Sequence, residues 1–204
     1  IFPEHRGGQA EQALIQVLVF PRLPFTAQMS LTALEGKRLP ETHFRILSDV
    51  DYDLHLKLAL PQGYEGNLHP LLLLVDAVPG SQAVTEEFAL GWPQVLSSSH
   101  GVALAWVDGR SGVARGQKSP ALDPRKLGSL TVKDQMGVVE WLTQLPYIDP
   151  RRIALYGKAF GGYLTLKMLA ATDRLFKCAA VMAPITDFRL YSESALCSPP
   201  APCA

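Results

Sequence analysis

The sequence predicts an α/β fold: a mostly parallel β-sheet covered by helices on both faces. Three observations carry that expectation. Four short runs (Leu71–Val75, Val102–Val107, Ile153–Tyr156 and Ala179–Met182) are almost wholly apolar, as strands buried on both faces must be. Segments with helical spacing lie between successive runs, and strand–helix–strand alternation is what builds parallel strands. Two alternating runs precede them all, placing an antiparallel hairpin at the front of the sheet.

Residues 1–37 form a divergent lead-in, with Gly7-Gly8, the isolated prolines Pro21 and Pro24, and no sustained period. The domain proper is expected over residues 38–195. Phe44–Leu47 and Leu54–Leu60 alternate with period two, and Ser48–Asp51 between them is turn chemistry, which together read as the hairpin. His55, flanked by Leu54 and Leu56, falls on the polar face. After the strand Leu71–Val75, a helix is expected over Val84–Leu96, then the strand Val102–Val107. Val132, Met136, Val139, Trp141 and Leu142 share helical spacing, so a helix is expected over Val132–Leu145, with Thr131 and Asp134 as its capping box. The strand Ile153–Tyr156 leads into a helix over Tyr163–Ala171. Ala179–Ala183 reads as the last strand the chain can supply, left as an exposed apolar edge and hence an invitation to self-association. Residues 196–204 are proline-rich and read as a disordered tail.

Composition excludes several classes. The 204 residues are 48% hydrophobic, enough for a sizeable core, and carry zero net charge with no charge run, so nothing argues for a nucleic-acid partner. No apolar run approaches the roughly 20 residues of a membrane helix. The chain opens on Ile1 and reads as a fragment, so the lack of a leader or anchor carries no weight. Cys178, Cys197 and Cys203, and the scattered His5, His43, His55, His69 and His100, show no metal-ligand spacing. No metal and no cofactor is expected.

Between the strand at 153–156 and the helix at 163–171 lies Gly157-Lys158-Ala159-Phe160-Gly161-Gly162. That is the place and spacing of a nucleophile elbow, G-x-S-x-G, in which a strained turn presents its central side chain above the sheet. Glycines let the strand and helix backbones approach where a Cβ would clash. The central residue here is Ala159, and a methyl group cannot attack a carbonyl or be activated by a base. Ser81, Ser97–Ser99 and Ser111 lie near strand ends but read as loop and cap serines.

At this motif the sequence resembles the dipeptidyl peptidase IV branch of the prolyl oligopeptidase family. Pro79-Gly80-Ser81-Gln82, Asp108-Gly109-Arg110, Lys133-Asp134-Gln135, Tyr147-Ile148-Asp149, Phe176-Lys177-Cys178 and Ala183-Pro184-Ile185 extend the resemblance in order over about 38–194. It implies an α/β-hydrolase fold of which this chain supplies the N-terminal part, truncated before the final strands. Gly157-Lys158 followed by a non-serine, with Pro184–Tyr191, is most similar to the inactive dipeptidyl aminopeptidase-like proteins, auxiliary subunits of voltage-gated A-type potassium channels. The implied function is non-catalytic: modulation of a channel's surface expression and gating, by a single-pass protein of the cell membrane with its hydrolase-like domain outside, and the family suggests a homodimer. The alternative is a serine-type dipeptidyl peptidase in full-length form.

Further departures agree with inactivity. By family position, Asp76 stands where active relatives place an oxyanion-stabilising tyrosine, and a carboxylate there repels an oxyanion. Asp108-Gly109-Arg110-Ser111-Gly112 has lost or altered a glycine of the family loop. The triad order is Ser, Asp, His, yet no histidine follows Ala159, and Asp187 falls before the family's acid position. Cys178 matches a family cysteine whose disulfide partner lies near the end of the full domain, which implies an oxidising setting. On the residues alone, a buried free thiol is the plainer reading.

Overall fold

In a computed structural model of the chain, residues 14–16, 36–48, 53–76, 78, 80–87, 89–110 and 127–187 are described. They contain seven strands: β1 (Leu14–Gln16), β2 (Glu41–Ser48), β3 (Asp53–Leu60), β4 (His69–Val75), β5 (Ala103–Asp108), β6 (Ile148–Lys158) and β7 (Cys178–Met182). Three α-helices accompany them: α1 (Trp92–His100), α2 (Leu127–Leu142) and α3 (Phe160–Ala170). The strands make one mixed sheet in the order β1-β7-β6-β4-β5-β3-β2. Pairing is parallel from β1 through β5 and antiparallel for β5–β3 and β3–β2.

The apolar runs become the buried middle of the sheet. Leu71, Leu73 and Leu155 face a core closed by Val138, Val139 and Leu142 of α2 and Leu164 and Met168 of α3. Leu72, Leu74 and Leu104 face the opposite way, beneath Trp92 and Leu96 of α1. All of β4 from Leu71 to Val75 is buried, which is why alternation is absent there. The hairpin is regular, pairing Glu41–Ser48 with Asp53–Leu60 without a bulge.

Several expectations need correction. No helix begins at Val84; the backbone N–H groups of Ala83 and Val84 donate to the Asp108 carboxylate, and α1 starts only at Trp92, with a proline in its first turn. The helix expected from Val132 begins a turn earlier, at Leu127, and ends at Leu142. Thr131 therefore lies inside α2, and Asp134 is not a cap. The following helix starts at Phe160, directly after Ala159.

The lead-in also contributes more than expected. Leu14, Ile15 and Gln16 pair in parallel with Cys178, Ala179 and Ala180. β7 is thus an inner strand, and the exposed apolar edge expected at Ala179–Ala183 does not exist as such. The partner of Leu14–Gln16 lies far along the chain. The predicted tail, with Cys197 and Cys203, falls outside the described residues.

Candidate functional site

β6 runs into α3 through a single residue, Ala159, with φ 51° and ψ −115°. Ala159 and Ala183 are the non-glycine residues with positive φ among those described. Such torsions cost an L-residue of order 1–3 kcal/mol and persist only where surroundings impose them. Here the Ala159 N–H donates to the Met182 carbonyl (3.0 Å), and the Ala159 carbonyl accepts from Tyr163 (3.1 Å) and Ile185 (3.3 Å). The turn is tied at once to its own helix and to the chain leaving β7.

The flanking glycines are dictated by packing. A Cβ on Gly161 would overlap the Val75 carbonyl oxygen, so α3 sits directly on β4. One on Gly157 would overlap the Thr165 hydroxyl and the Gly161 carbonyl. One on Gly162 would lie 3.0 Å from Val181 Cγ1 and 3.1 Å from Pro184 Cα. Buried Thr165 donates to the Gly161 carbonyl at 2.8 Å, filling the space below the turn. Lys158 is exposed, Phe160 is buried against Tyr163, and Ala159 presents a half-buried methyl. The strand–turn–helix expected for Gly157–Gly162 is thus present, with nothing nucleophilic at its centre.

Asp76 leaves the end of β4 beside this turn, its Cα 3.6 Å from where a Gly161 Cβ would stand, and its side chain is exposed. At the same sheet end, two segments picked out by sequence meet. Asp134, with no side-chain exposure, accepts from the Arg110 backbone N–H (3.0 Å), from its Nε (3.1 Å) and from its Nη2 (2.8 Å). Gly109 leaves room for that carboxylate, which would stand 2.7 Å from a Cβ there. Gln135 Nε2 donates to the Val107 carbonyl. Above the hairpin, Lys57 Nζ lies 5.7 Å from the Phe44 ring and 5.6 Å from that of Trp106, and donates to the Thr85 carbonyl at 2.8 Å. The Arg110–Asp134 pair was not foreseen; its two halves stand 24 positions apart in sequence.

The other flagged residues are dispersed. Ser81 closes a turn onto the Val78 carbonyl, Ser97 is buried in α1, and Ser111 lies outside the described residues. His69 donates from Nδ1 to the Gly101 carbonyl (2.8 Å). Cys178 is exposed and free, so the buried thiol read from the residues alone is not what is found. Among the described residues no group of His, Cys, Asp and Glu could hold a metal ion, and no helix is long and apolar enough to cross a membrane.

Comparison with known proteins matches residues 88–197 to the prolyl oligopeptidase family. The chain is 38% identical to the inactive dipeptidyl peptidase 10 of Rattus norvegicus over 167 residues, 81% of this chain and 21% of that protein. It is 35% identical to the human prolyl endopeptidase FAP, over 79% of this chain and 21% of that one. Among solved structures, Porphyromonas gingivalis dipeptidyl peptidase 4 aligns with a TM-score of 0.69 at 31% identity, covering 76% of this chain and 22% of that one. The chain therefore spans about a fifth of the length of the relatives it matches.

Proposed function

This chain belongs to the prolyl oligopeptidase family, with its α/β-hydrolase fold, and we propose that it is a non-catalytic, dipeptidyl-peptidase-like member whose work is binding. One observation carries the reading: Ala159 occupies the strained residue between β6 and α3, where catalysis would need a nucleophilic side chain. A methyl group there can form no acyl intermediate. The exposed carboxylate of Asp76 beside the turn would oppose, not stabilise, developing negative charge. Similarity to a protein described as inactive supports the same reading.

The test is labelling with an active-site-directed fluorophosphonate, together with turnover of an Xaa-Pro dipeptide substrate. Neither is expected, because residue 159 offers only a methyl group where a nucleophile is needed. Inhibitor-sensitive turnover by the unaltered protein would overturn the proposal. It would favour the second reading, a serine-type dipeptidyl peptidase, for which the similarity to the prolyl endopeptidase FAP speaks.

The resemblance to the dipeptidyl aminopeptidase-like proteins extends the proposal to a partner and a place. The partner is a voltage-gated A-type potassium channel subunit, and the place is the cell membrane, with this domain on the extracellular side. Fold and site are separable, so a hydrolase scaffold can keep its surfaces after its chemistry is lost. Co-expression of the full-length protein with such a channel subunit should raise its surface level and alter its gating. Unchanged currents would remove the partner while leaving the non-catalytic reading intact.

A further inference from the structure

We draw no further inference here: the strongest candidate, the exposed apolar patch of Phe44 and Ile46 on β2 at the end of the described sheet, carries nothing because nothing in the structure shows what covers it.

Discussion

Replacing Ala159 by glycine should make the protein more stable, although alanine-to-glycine changes ordinarily do the reverse. The alanine is held at φ 51° and ψ −115°, and strain of that kind costs about 2 kcal/mol in the middle of its range. Glycine adopts positive φ as readily as negative, so the substitution releases most of it. Against this stand about 0.7 kcal/mol for the greater freedom of glycine in the unfolded chain and about 0.4 kcal/mol for a half-buried methyl. The net gain is about 1 kcal/mol, or roughly 2–4 °C in melting temperature for a chain of this size. Ala180→Gly is the control: that residue is half-buried in β7 without positive φ, so the same two losses apply with no strain to relieve. Its expected loss is about 1 kcal/mol. Equilibrium urea unfolding of both variants should therefore show shifts of opposite sign. Equal destabilisation by the two would mean that Ala159 is not strained, and the elbow geometry would fall with it.

Gly161→Ala should destabilise by about 1–3 kcal/mol or more, because its Cβ drives α3 off the Val75 carbonyl; an unchanged urea midpoint would contradict that packing. Asp134→Asn should cost about 2 kcal/mol, less than the loss of a fully buried pair, because Arg110 is 18% exposed. A double-mutant cycle with Arg110→Met should show coupling between the two, and additivity would refute it. The carboxyl of Asp149 is held below its ordinary value near 3.8, first by the Arg151 backbone N–H and then by the Arg152 side chain. A depressed folded-state value means stability that is present above the unfolded pKa and lost as pH falls through the folded one. Asp149→Asn should therefore flatten the unfolding free energy on the acid side of pH 4, and an unaltered acid limb would show that these bonds do not hold in solution.

What the sequence revealed and what it concealed divide along the range of the interactions. β3–β7 and the hairpin were legible because apolar runs and alternation are local signals of burial. The turn at Ala159 was legible because three glycines at fixed spacing mark backbone approach, and Gly161 against Val75 shows what approaches. Val84–Leu90 misled because their apolar spacing suits a helix, whereas the amides of Ala83 and Val84 are taken by Asp108, 24 or more positions away. Asp134 misled in the same way: it has the spacing of a cap, but its oxygens answer Arg110. β1 lies in an apolar run, Ala13–Phe20, but what makes it a strand of this sheet is the parallel partner β7, far along the chain.

The glycines around Ala159 bear on how such a site decays over evolutionary time. Gly157, Gly161 and Gly162 are required by the seating of a helix on a sheet, and that need continues whether or not anything is hydrolysed. Chemistry would dictate a particular side chain only at the residue between them, which is half-buried. Selection for a folded scaffold should therefore preserve the frame of the motif while its centre drifts, so that lineages which lost the reaction independently would keep one glycine skeleton around different occupants. Reacquiring a nucleophile would then take a single codon, whereas rebuilding the frame would take several coordinated changes.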